Sequence, residues 1–102
     1  MANVLIVGKR GRCYRAALRM GHTVFLWSDG PLHESRKEKL AGWVETPFKS
    51  CEKGLLTADV ETIEEFNIEF VIAATESSVD IAAMIRKQFK LTGTPLKTTN
   101  LL

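Results

Sequence analysis

The chain opens on an apolar run, Val4-Leu5-Ile6-Val7, that ends at the loop Gly8-Lys9-Arg10-Gly11 and leads into an amphipathic stretch. A strand that is apolar without alternation is covered on both faces, which calls for a parallel sheet packed between helices. Asn3 to Val7 therefore reads as the first strand of a strand–helix–strand unit. Its helix runs from Arg12 to Met20, where Cys13, Ala16, Ala17 and Met20 recur at helical spacing and Gly21 supplies a left-handed stop. The second strand is Thr23 to Trp27, paired in parallel through a right-handed crossover.

The same alternation continues. Glu34 to Ala41 reads as a short exposed helix closed by Gly42, and Trp43 to Thr46 as a brief edge strand stopped by Pro47. Leu56, Val60, Ile63 and Phe66 mark one face of a third helix. Phe70 to Thr75 is the second unbroken apolar strand, ending in Thr75-Glu76-Ser77-Ser78. Ser77 and Asp80 have capping-box spacing, and Ile81, Met84, Ile85 and Phe89 form the stripe of the next helix. Gly93-Thr94-Pro95 reads as a turn that opens a further helix. The expected architecture is α/β: a Rossmann-like, doubly wound parallel sheet of about four strands in three αβα layers, with strand order 3-2-1-4. One domain spanning residues 1–102 is expected.

Composition narrows the function classes. An apolar fraction of 45 % with 25 % charged residues belongs to an ordinary globular domain. No apolar run reaches the roughly 18 residues that cross a bilayer, so no membrane partner and a cytoplasmic location are expected. A net charge of +2 does not call for nucleic acid. Cys13 and Cys51 lack CxxC spacing and read as reduced thiols, and with His22 and His33 they match no compact metal site.

A sheet of this kind binds ligands beyond the carboxyl ends of its strands, where the strand order reverses. That places Gly8, Lys9, Arg10 and Gly11 opposite Thr75, Glu76 and Ser77 across one crevice. Glycine permits close backbone approach, while Lys9, Arg10 or Arg12 would neutralise a carboxylate or phosphate, and Glu76 would orient an amine or cation. Asp29, just past the second strand, stands where a dinucleotide-binding protein keeps its ribose carboxylate. Asp29-Gly30-Pro31 is equally good turn chemistry, and the first loop is Gly-x-x-Gly rather than Gly-x-Gly-x-x-Gly. Trp27 and Trp43 read as core or edge aromatics. No nucleophile and base pair emerges, so no catalytic residue is assigned.

The opening Asn-Val-Leu-Ile-Val-Gly with its basic loop, the strand end Val-Ile-Ala-Ala-Thr-Glu-Ser, and the later Leu-Thr-Gly-Thr-Pro resemble, in order and spacing, the N-terminal domain of ATP-grasp enzymes. The resemblance covers nearly the whole chain. It implies the pre-ATP-grasp domain of a ligase that joins a carboxylate to an amine through an acylphosphate made from ATP and magnesium. Carried over residue by residue, Gly8, Lys9, Arg10, Gly11, Thr75, Glu76 and Ser77 would hold a small carboxylate or amine substrate. By the same likeness ATP and magnesium belong to the remaining ATP-grasp domains, which would continue beyond Leu102. The chain then reads as an excised domain that is inactive alone. Two other readings stand beside this one. The first is a nucleotide- or NAD-sensing regulatory module, suggested by Asp29 and the glycine loop. The second is an interaction module whose basic first helix docks an acidic partner.

Overall fold

A computed structural model describes residues 2–8 and 11–90. Strands β1 (Asn3–Val7), β2 (Thr23–Trp27), β3 (Gly42–Val44) and β4 (Phe70–Ala73) alternate with helices α1 (Gly11–Arg19), α2 (Glu34–Lys37), α3 (Thr57–Phe66) and α4 (Val79–Gln88). Single 3-10 turns at Phe48–Cys51 and Glu76–Ser78 precede α3 and α4. All strand pairings are parallel and the order is β3-β2-β1-β4. The fold is thus the doubly wound α/β sheet that the sequence predicts. Val7 stands level with Trp27 on one side and Ala73 on the other, so the three strands end together at one edge.

Alternation along these strands separates two cores. Leu5, Val7, Phe25, Trp27, Val71 and Ala73 pack under α3 and α4 with Ile63, Ile81, Ala82 and Ile85. Val4, Ile6, Val24 and Leu26 pack on the opposite face under α1, with Tyr14, Ala17, Leu32 and Leu40. Because both faces carry helices, the strands need apolar residues at every position, which is why β1 does not alternate.

Several details differ from the sequence reading. Helix α1 presents Tyr14 and Ala17 to the core, while Ala16 is exposed and Met20 is 73 % exposed. The helix stops at Arg19, where His22 N–H donates to the Ala17 carbonyl (3.2 Å) and Gly21 N–H to that of Leu18 (3.0 Å). This is the Schellman pattern, with Gly21 at φ 83°, and it leaves Met20 past the end of the packed face. Helix α2 is a single turn ending at Lys37, because Ala41 N–H already pairs with the Val24 carbonyl and draws the chain into the sheet. Gly42 therefore opens β3 rather than closing a helix. A Cβ there would lie 2.6 Å from Phe66 Cε1, beneath the stacked Phe25 and Phe66 rings whose centroids are 4.3 Å apart. β3 ends at Val44 and β4 at Ala73, each two residues earlier than predicted. Gly93, Thr94 and Pro95 lie outside the described residues.

The edge next to β3 is held by Glu45. Its Oε2 accepts a hydrogen bond from Leu32 N–H (2.7 Å), and its Oε1 lies 3.5 Å from Lys37 Nζ, which itself sits 5.2 Å from the centre of the Trp43 ring. The Leu32 N–H, with help from Lys37 and against a smaller desolvation effect, holds the Glu45 carboxyl below its ordinary 4.5. A folded-state value below the unfolded one means stability that is present above the ordinary carboxylate range and lost as pH falls through the folded value. Glu45→Gln is therefore expected to melt below the parent protein at neutral pH, with the gap closing on acidification. Thermal melts between pH 7 and about 2 check this, and a gap independent of pH would contradict it.

Candidate functional site

Gly8 is the hinge of the site. Its N–H donates to the Trp27 carbonyl (2.8 Å), continuing the ladder one residue past β1, and then φ turns to 109°, a value that favours glycine. A Cβ at Gly8 would lie 2.9 Å from Thr75 Oγ1, 3.2 Å from Thr75 Cγ2 and 3.3 Å from Ser78 Oγ. The chain leaving β1 thus runs in direct contact with the chain leaving β4. Ala74 N–H donates to the Val7 carbonyl (2.8 Å) and fixes the two exits in register.

The β4 exit is held by its own hydroxyls. Ser78 Oγ accepts from Thr75 N–H (3.1 Å) and donates to the Thr75 carbonyl (2.7 Å), which also accepts from Ser78 N–H (3.1 Å). Thr75 Oγ1 and Ser77 Oγ share a hydrogen bond of 3.1 Å. Ser78, fully buried, is therefore the capping side chain, with Thr75 as its partner. The predicted pair Ser77 and Asp80 is displaced because the 3-10 turn Glu76–Ser78 comes before α4 and moves the cap toward the strand. Glu76 and Ser77 remain exposed at the mouth.

Of the predicted site residues, the structure brings Gly8 against Thr75 and sets Glu76 and Ser77 beside them, with Gly11 opening α1. Lys9 and Arg10 lie outside the described residues. The first turn of α1 holds no acidic residue. Helices α1 and α4 both begin just past this edge, which brings the positive ends of their dipoles near it, and the first N–H of α4, that of Val79, is taken by the Glu76 carbonyl of the preceding 3-10 turn. The β4 side differs in charge, with Glu76 in the 3-10 turn and Asp80 in the first turn of α4.

On the α4 side, Ser77 also lines an open cleft of about 550 Å³ with Phe48, Lys49, Asp80, Ile81 and Met84. Sequence reasoning missed Lys49 and Phe48 as neighbours of the site. The stretch after Pro47 has no periodicity, so only the tertiary fold brings it there. Cys51 stands in the same wall and is almost wholly buried; desolvation pushes its thiol up, opposed by the Leu56 N–H and reinforced by the Asp59 carboxylate. Cys13 and Cys51 are both free thiols. Asp59 itself accepts from Thr46 Oγ1 (2.8 Å).

Asp29 has a structural role at the end of β2. Its Oδ1 accepts from Phe48 N–H (2.7 Å) and ties the β2 exit to the 3-10 turn after β3. Next to it, Ser28 Oγ is buried with no hydrogen-bond partner among the described residues. Trp27 is a core residue whose indole N–H donates to the Thr46 carbonyl (2.8 Å), while Trp43 lies at the sheet edge. Among the described residues no group of three or more His, Cys, Asp or Glu side chains could hold a metal ion. No helix of the described residues is long and apolar enough to cross a membrane.

The parallel sheet, whose strand order reverses between β1 and β4, defines a Rossmann-like α/β protein. Comparison with protein-family models, with curated proteins and with solved structures finds no match for the chain.

Proposed function

We propose that this chain is the substrate-side, N-terminal domain of an ATP-dependent carboxylate–amine ligase of the ATP-grasp kind. The observation that supports the reading is the close approach of Gly8 to Thr75 and Ser78, which sets the exit of β1 against the Thr-Glu-Ser end of β4. These two stretches bear the sequence resemblance, and they lie where a doubly wound sheet receives its ligand.

The crevice suits a small substrate with a carboxylate. The α1 side supplies backbone N–H groups and a helix dipole, free of acidic side chains in its first turn. Glu76, exposed on the other side, suits an amine or a cation. The contribution is positioning and electrostatics: fixed N–H groups orient the anion and reduce the cost of bringing it close to a second anionic group. In the full ligase, ATP and magnesium would supply the activated acylphosphate from the other domains. The groups described here hold the substrate only.

Calorimetry of the chain alone tests this assignment. No heat of binding is expected with ATP–magnesium or with NADH at ligand concentrations of about 1 mM. Micromolar affinity for ATP–magnesium would overturn the ligase reading, and affinity for NADH would favour a nicotinamide-sensing module in its place.

A further inference from the structure

A second feature lies on the layer of α1, away from the crevice. Arg15, Leu18, Arg19 and Lys39 line an open groove of about 450 Å³ between α1 and the connection from α2 to β3. Arg15, Arg19 and Lys39 are exposed, and Leu18 is half-buried against the core beneath the helix. Helix α1 carries no acidic residue along its length. Arg19 and Lys39 make no ion pair among the described residues. Helix α3, on the opposite face of the sheet, has the reverse composition, with exposed Glu61, Glu64 and Glu65 and no cation. Helices α1 and α3 thus carry opposite charge on opposite faces of the sheet, while α4, on the α3 side, has Arg86 and Lys87 in its last turn and the chain as a whole carries only +2.

We propose that this groove is a docking site for an acidic segment of a partner protein, one that places an apolar side chain on Leu18 between carboxylates held by Arg19 and Lys39. Charge complementarity selects the occupant. The cations form one short cluster around an apolar floor, a size that matches a few side chains. A nucleic acid draws its affinity from many phosphates along a longer track than this one short groove offers. Arginine and lysine stems add apolar contact along the groove walls while their heads reach the carboxylates.

The test is fluorescence anisotropy of the intact chain with a labelled Glu-Glu-Leu-Glu-Glu peptide. Saturable binding is expected, weakened about tenfold by the double change Arg19→Glu and Lys39→Glu, both at exposed positions. It should also weaken steeply between about 50 mM and 500 mM salt, as screening shortens. Glu64→Lys on the opposite layer should leave affinity unchanged, and circular dichroism verifies that each variant is folded. Absence of binding, binding indifferent to salt, or equal binding by the charge-reversed variant would overturn the proposal. Tighter binding of a single-stranded oligonucleotide of equal charge would overturn it in favour of nucleic acid. Salt-sensitive self-association without peptide would overturn it in favour of a second copy of the chain.

Discussion

Replacing Gly8 with alanine is expected to destabilise the protein by about 3 kcal/mol, lowering its Tm by some 10–25 °C. Two costs combine. Backbone at φ 109° is strained for any residue with a Cβ, at about 1–3 kcal/mol. The new methyl would also stand 2.9 Å from Thr75 Oγ1 and 3.2 Å from Thr75 Cγ2. Threonine is β-branched and stiff at χ1, so it yields little, and crowding adds a comparable term. The two parts separate in a double-mutant cycle. Thr75→Ala removes the two nearest atoms and leaves only Ser78 Oγ at 3.3 Å, so Gly8→Ala in that background should cost little more than the backbone share of about 1–3 kcal/mol and clearly less than in the parent. Thermal and urea melts of the four proteins check this. Equal cost of Gly8→Ala in both backgrounds would mean that the β1 and β4 exits do not touch.

Trp27→Ala is expected to cost about 3–5 kcal/mol, against a total of roughly 5–15 kcal/mol for a domain of this size. The ring is fully buried among the residues under α3 and α4 and is the largest of the completely buried side chains. Its indole N–H is bonded to the Thr46 carbonyl, so truncation leaves a cavity and an unpaired acceptor together. Trp27→Phe keeps much of the apolar volume and should cost less, about 1–3 kcal/mol, mostly from the lost hydrogen bond. Chemical denaturation followed by circular dichroism gives both values. A Trp27→Ala midpoint close to the parent's would contradict the placement of this ring in the core.

Physical reasons separate what the sequence revealed from what it hid. Sheet order followed from two unbroken apolar strands and short connections, because parallel strands covered on both sides admit few arrangements. The meeting of Gly8 with Thr75 followed from that order. Gly42 was misleading because its cause is the Phe66 ring, more than twenty residues away in sequence, and a local reading sees only a glycine after a charged stretch. The face of α1 was rotated because alanine and methionine are apolar without being obliged to be buried, while Tyr14 buries its ring and carries a polar tip. Ser78 was hidden behind Ser77, since a 3-10 turn moves a cap without changing composition. Lys49 reaches the cleft through a turn held by Asp29, a contact between segments with no shared pattern.

The account rests on one crevice between the ends of β1 and β4, and amide chemical shifts report on it directly. In an NMR titration with small mono- and dicarboxylates up to about 10 mM, the amides of Gly8, Gly11, Thr75, Glu76 and Ser77 are expected to move together along one saturation curve, while those of α3 stay still. Gly8→Ala should abolish the response. Shifts confined to other parts of the chain, or none at these residues, would contradict an anion site at the junction of the two strand ends.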